Sequence, residues 1–235
     1  MNCKLCHNNR PLVKSHIIPE SFYRLDRQGG TAKLKTDIEG IFPSRAPIGI
    51  YDRIVCEECE RLFSSWDDYA QKLLLGSLWQ PTPIFHEGKV LSYTLDSFDY
   101  SKLKLFCLSV LWRASVSSHR FFSKIDLGPY EGVARSALLA GDPGQQEFFA
   151  SLLGKFDIAS GTAVLDPHRE KIQGVNFSRF YMAEFMLFVK IDRRGLLDSF
   201  KYVALAPGKP LIVMGRELQR SEELSIMKNI IRVNR

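Results

Sequence analysis

The chain of 235 residues has only five cysteines, too few and too unevenly placed for a disulfide framework. No run approaches the roughly 18 apolar residues that a membrane span needs, and Met1-Asn2-Cys3-Lys4 opens no apolar stretch of signal-peptide type. Both absences predict a cytoplasmic protein with no membrane partner. There is no internal repeat and no low-complexity tract to suggest a solenoid or a linker. The C-terminal two thirds contain no phosphate loop, nucleophile elbow or Rossmann fingerprint, which leaves an active site there with little support.

Charge of one sign is also in short supply. The formal net charge is +6, with 45% hydrophobic and 25% charged residues, an ordinary globular composition that excludes disorder as the main state. The surplus is uneven. Residues 1–60 hold nine basic against eight acidic side chains, residues 61–160 ten against ten, and residues 161–235 thirteen against eight. A basic C-terminal end is compatible with a polyanionic partner, because Lys and Arg contacts to phosphate supply most non-specific nucleic-acid affinity.

Four of the five cysteines form two C-x-x-C pairs, Cys3/Cys6 and Cys56/Cys59. Each pair on a tight turn presents two sulfurs to one metal, and two pairs complete the four thiolates of a structural zinc site. The 49 residues between Cys6 and Cys56 are rich in turn formers, including Gly29-Gly30, Gly40, Pro43, Pro47 and Gly49. Metal binding is therefore expected to hold this stretch together. Cys107 stands apart in an apolar helical pattern and reads as a small buried hydrophobe. His7 follows a zinc ligand, and His86, His119 and His168 have no partner spaced for a metal.

Beyond Cys59, Leu62, Phe63, Trp66, Tyr69, Ala70 and Leu73 recur at helical spacing. Pro81 and Pro83 break that helix, and Lys89 to Leu95 alternates as a strand. Leu103, Phe106, Val110, Leu111 and Ala114 mark a second, strongly apolar helix that also carries Trp112 and Arg113. A third spans about Tyr130 to Leu139 and ends at Gly141, and Asp142-Pro143 resembles the start of a further helix over Gln145 to Leu153. Strand chemistry follows in Phe180 to Ile191, Tyr202 to Leu205 and Leu211 to Met214, then a closing helix from Ser221 to Ile231. The fold class is α+β with a zinc module in front. The expected domains are residues 1–78 and residues 79–235, the second having a substrate-binding, oligomerising or regulatory role.

Inside the first module lies Lys14-Ser15-His16-Ile17-Ile18-Pro19, and the order C-x-x-C, His-Ile-x-Pro, C-x-x-C, outgoing helix resembles the HNH endonuclease family over about residues 1–75. The resemblance implies a treble-clef, ββα-metal module, and the periodicities beyond it add a helical segment and a small antiparallel sheet. It further implies metal-dependent hydrolysis of DNA or RNA phosphodiesters, in the manner of bacterial defence proteins. His16 would be the general base, since an imidazole titrating near neutrality can take a proton from water. Asp52 stands near the family's middle Asn, which orients that imidazole. Asp67 or Asp68 would bind Mg²⁺ or Mn²⁺, hard ions that prefer carboxylate oxygen. Lys14, Arg24, Arg53 and Arg61, together with Arg27, lie near this site in sequence and are read either as phosphate contacts or as solvated surface charge.

The pattern departs from the family at two points. Ser15 stands where many members have an acidic residue or a histidine, and the closing His or Asn of the outgoing helix is missing, so that Asp67 and Asp68 are nominated by position. His16 also admits a structural reading, Asp67 a helix-dipole reading, and Arg113 either a buried, internally satisfied role or a phosphate contact. The alternative function is a non-catalytic zinc module that binds nucleic acid or a protein partner, with a homo-oligomer or a regulatory partner left open.

Overall fold

The computed structural model describes residues 2–23, 33–35, 44–45, 49–156 and 163–217. Arg24, Arg27 and the expected helix Ser221 to Ile231 lie outside the described residues. The architecture is mixed α+β, as the hydrophobic periodicities require.

The N-terminus forms a knuckle. Asn2 and Asn9 make an isolated antiparallel bridge, the Cys3 amide donates to the Asn8 carbonyl at 3.0 Å, and the His7 amide donates to the Cys3 carbonyl at 2.8 Å. His7 adopts a left-handed φ of 63°, which closes the turn around the first cysteine pair. Strand β1 (Leu12–His16) follows. After β2 (Lys33–Lys35) and β3 (Ser44–Arg45), β4 (Tyr51–Cys56) returns antiparallel to β1, with Leu12 opposite Cys56 and His16 opposite Tyr51. The Lys4 amide donates to the Ile54 carbonyl at 2.9 Å. Knuckle and hairpin are thereby joined, and both cysteine pairs reach the same end of the hairpin.

Helix α1 (Glu57–Leu74) starts directly at Cys56, with Glu57, Glu58 and Glu60 in its first turn, where the helix dipole favours carboxylates. It buries Cys59, Phe63, Trp66, Ala70, Leu73 and Leu74. Leu62 was expected on that face but is 39% exposed, since it lies a full residue step around the helix from the Cys59-Phe63-Trp66 stripe. Helix α2 (Tyr100–Val116) is capped by Asp99, whose side chain accepts from the Lys102 amide, and every residue from Leu103 to Ala114 is buried. Such all-round burial marks a central helix. It packs against α1, against α3 (Glu131–Ala140), and against the sheet described next.

That sheet has seven strands: β5 (Thr82–His86), β6 (Lys89–Leu95), β7 (Ser151–Phe156), β9 (His168–Ile172), β10 (Val175–Met182), β11 (Phe185–Lys190) and β12 (Leu211–Arg216), in the order β5-β6-β12-β7-β11-β10-β9. β12 and β7 run parallel and the other neighbours antiparallel. It is thus larger than the small antiparallel sheet expected, and mixed. Strand β8 (Ala163–Leu165) joins β2 and β3 in a separate three-stranded sheet.

Three local expectations are corrected. Asp142 does not open a helix: its Oδ1 accepts the Gly144 amide at 2.9 Å in a tight turn, and Ser151 to Phe156 is a strand. Phe180 to Ile191 is not one strand, because Ala183 turns back at φ 52° between β10 and β11. Tyr202 to Leu205 is a turn after the short helix α4 (Asp198–Lys201). The Gly141 stop holds, with a φ of 62° and its amide bonded to the carbonyls of Ala137 and Leu138.

One cluster of buried apolar residues runs from Cys3 through α1 and α2 into the sheet at Val213. At the junction, the Phe22 ring stacks on Phe106 of α2 at 5.5 Å. Cys107 is fully buried, as its setting predicts. Among the described residues no helix is long and apolar enough to cross a membrane.

Candidate functional site

The sulfurs of Cys3, Cys6, Cys56 and Cys59 all lie within 4.8 Å of one another. Cys6 and Cys56 are 3.9 Å apart, close to the ~3.8 Å edge of a tetrahedron whose sulfurs sit ~2.3 Å from one ion. All four are free thiols, and three are buried. Burial raises the Cys3 thiol, but hydrogen bonds from the backbone of Cys6, Cys56 and Leu5 outweigh it and bring it down to about 7. Burial and the neighbouring sulfurs push Cys59 strongly upward. Four crowded thiols with amides aimed at them form a donor set that a soft divalent ion such as zinc fits. Among the described residues this is the one group of three or more His, Cys, Asp or Glu side chains whose donor atoms converge.

Next to the cysteines, Arg113 joins three elements. It is fully buried in α2, and its guanidinium meets the Asp67 carboxylate of α1 in two bonds of 2.8 and 2.9 Å. It also donates to the His16 carbonyl of β1 at 2.7 Å and to the carbonyl and hydroxyl of Ser109 at 3.3 and 3.1 Å, while the Phe63 ring lies 5.0 Å below it. All five donors of the fork are satisfied. Of the two readings of Arg113, the internally satisfied one is therefore observed. The Asp67 carboxylate is engaged by this arginine, and Asp68 is exposed on α1.

Above this pair sit Ser15, His16 and Glu60. Ser15 is fully buried, and His16 is half-buried with its ring edge-on to Tyr51 at 6.2 Å. Burial pushes the Glu60 carboxyl above its ordinary range, against the lowering pull of the Ser15 hydroxyl, Arg113 and His16. The hydroxyl is near but not aligned: Glu60 Oε2 and Ser15 Oγ are both buried without a hydrogen-bond partner. Leaving a carboxylate oxygen in that condition is costly unless a proton or a cation meets it. Glu60 was missed in the sequence, although it directly follows Cys59 and shares a helix face with Phe63 and Asp67 at spacings of three and four.

Four hydrogen bonds engage the Asp52 carboxylate. Its Oδ2 accepts from the Ser118 amide at 2.8 Å, the Ser118 hydroxyl at 2.9 Å and the Ser117 hydroxyl at 3.0 Å, and its Oδ1 accepts from the Arg53 amide at 2.7 Å. Although burial raises this carboxyl, those bonds outweigh it and hold it below the ordinary range. Asp52 therefore ties β4 to the end of α2. The expected phosphate contacts divide. Lys14 and Arg53 are exposed beside His16, with the Lys14 ammonium 4.6 Å over the Tyr51 ring and Arg53 donating to the Leu12 carbonyl at 2.8 Å. Arg61 is exposed on α1 and paired with Glu57 at 2.6 Å.

No family model matches the chain, and no curated protein or solved structure matches it. The HNH resemblance thus rests on the motif residues alone, and beyond the four-cysteine cluster a treble-clef identity is not shown.

Proposed function

We propose that the knuckle, the β1–β4 hairpin and α1 form a zinc-stabilised, metal-dependent phosphodiesterase of HNH type that cuts DNA or RNA. The observation that carries this reading is the orphaned, buried carboxylate oxygen of Glu60 beside Ser15 and His16. On this reading His16 is the general base. Glu60 takes the metal-binding role first nominated for Asp67 or Asp68, since Asp67 is neutralised by Arg113. Mg²⁺ or Mn²⁺ suits a site with one protein carboxylate, the remaining positions going to water and substrate phosphate. When bound, it would neutralise charge on the phosphate and the leaving oxygen. Arg113 holds the backbone of His16 and so fixes the base relative to α1, while Lys14, Tyr51 and Arg53 offer an exposed cationic and aromatic edge for a nucleic-acid strand.

A second reading, nucleic-acid binding without cleavage, is favoured by the engagement of Asp52 with Ser117 and Ser118. The two separate in one assay. Zinc-loaded protein is incubated with plasmid DNA and with RNA in Mg²⁺ or Mn²⁺, with EDTA as control, beside His16→Ala and Glu60→Gln. The nuclease reading expects cutting that EDTA abolishes and that each variant lowers by at least about 10²-fold. Retained binding with no cutting by the wild type under any of these conditions would replace it with the binding module.

A further inference from the structure

The two strands of the β1–β4 hairpin do not match residue for residue. Val13 pairs with Val55 and Ser15 with Asp52, so Lys14 alone stands opposite two residues, Arg53 and Ile54. A bulge of this kind twists the ribbon and re-aims the side chains around it. Ser15 and Ile54 are buried, whereas Lys14, Tyr51 and Arg53 are exposed. The Lys14 ammonium lies 4.6 Å from the centre of the Tyr51 ring. Across the last pair of the register, the His16 ring stands edge-on to the same tyrosine at 6.2 Å. An exposed aromatic ring with a cation on it thus adjoins the residue read as the general base.

Elsewhere on the surface, Arg10, Arg61, Lys89, Lys102 and Lys201 each hold a carboxylate. Among the described residues, Lys14, Arg53 and Arg120 make no such pair. Arg120 is exposed just beyond α2. It is held near the hairpin because Ser117 and Ser118 bond Asp52, and because Lys4 Nζ donates to the Val116 carbonyl at 2.5 Å. Asp52, the carboxylate between Arg53 and this end of α2, already accepts four hydrogen bonds. Exposed cations without partners attract phosphates, and an exposed ring offers its face to a base. In a duplex the faces of each base are covered by its neighbours, so such a ring serves an unpaired base.

We propose that the site takes a single-stranded nucleic acid. One unpaired base stacks on Tyr51, while Lys14 exchanges the ring for a flanking phosphate and Arg53 meets the next. The strand then continues over the end of α2 past Arg120. The proposal rests on the nuclease reading, whose substrate it specifies.

The test is equilibrium binding of labelled oligo(dT), oligo(U) and a DNA duplex of equal length to the full zinc-loaded chain, without added Mg²⁺ or Mn²⁺ so that nothing is cut. At least one of the single strands is expected to bind about tenfold tighter than the duplex, and a preference between the two assigns the sugar. Tyr51→Ala should weaken single-strand binding by roughly 5- to 100-fold, and Tyr51→Phe, which keeps the ring, should retain it. Lys14→Gln combined with Arg120→Gln should make the slope of log K against log salt shallower by about 1.4, since each phosphate contact on a single strand contributes about 0.7. Both of these positions are exposed, so this variant reports even where Tyr51→Ala fails to fold. Duplex bound as tightly as the single strands, no binding of either, an unchanged affinity in folded Tyr51→Ala, or an unchanged salt slope overturns the proposal. A protein that meets these expectations and cuts nothing loses only the nuclease reading, whereas one that cuts in metal yet prefers duplex here loses only the single-strand proposal.

Discussion

The β1–β4 hairpin and the β10–β11 hairpin are built from strands of similar length, yet only four of the eleven residues in the first are buried against thirteen of the fourteen in the second. The second is stable for the usual reason, apolar area removed from water at about 25 cal/mol per Å². The first has too little of that term. It depends on four convergent sulfurs and on one buried arginine that bonds its carbonyl and the next helix together. The polar site sits in the region that burial alone would not hold.

Metal removal is the harshest way to break this contrast. Structural zinc contributes about 10–16 kcal/mol of apparent binding energy in small fingers. Chelation, or Cys59→Ser, is therefore expected to release the amides of Cys3, Lys4 and Cys56 to solvent exchange while β10 and β11 stay protected. Hydrogen exchange read by mass spectrometry checks it, and equal loss in both regions would show that they unfold as one unit.

Arg113→Met comes next. It leaves the Asp67 carboxylate buried opposite nothing and should cost about 3–5 kcal/mol in urea unfolding, with much of that recovered in the Arg113→Met, Asp67→Leu double variant. Failure to recover would mean that the bond to the His16 carbonyl matters more than the charge.

A smaller effect sharpens the comparison from the sheet side. Burial lowers Lys104 from 10.5 to about 7. Between those values the unfolded chain binds more protons than the folded one, so the destabilisation from this lysine is fully present below pH 7 and fades as pH rises toward 10.5. Relative to Lys104→Met, wild-type stability should climb across that window by at most about 1.4 kcal/mol per pH unit, measured as urea midpoints at pH 7, 8 and 9. A flat difference would place a counterion at this lysine.

The smallest effect is expected at Gly144. It has a φ of 62°, and a Cβ there would run into the Phe148 ring, so Gly144→Ala should lose about 1–2 kcal/mol, read as lower thermal stability with the zinc content unchanged.

Much of the first region could be read from residue order, because its signals are short-range. The two C-x-x-C pairs, the helix leaving Cys59 and the Gly141 stop each depend on residues within one or two turns of one another. Less of the second region was legible. Ser151 to Phe156 has five buried residues of six, so no alternation marks it as a strand, and a short apolar run after Asp-Pro reads equally well as a helix. The turns were available but unread: Glu87-Gly88 and Gln173-Gly174 have positive φ at both positions, the pattern of a two-residue hairpin turn.

At the candidate site the division has the same physical cause. The sequence determined which residues can bind metal and that His16 lies between the cysteine pairs, since ligand chemistry and chain order are local properties. Tertiary structure decided which carboxylates remain available. Asp52 lies 65 residues before Ser117 and Asp67 lies 46 before Arg113, so their neutralisation follows from how α2 packs against α1 and β4. Spacing along the chain carries no record of that packing, and Glu60 stands out only once α1 has buried it beside Ser15.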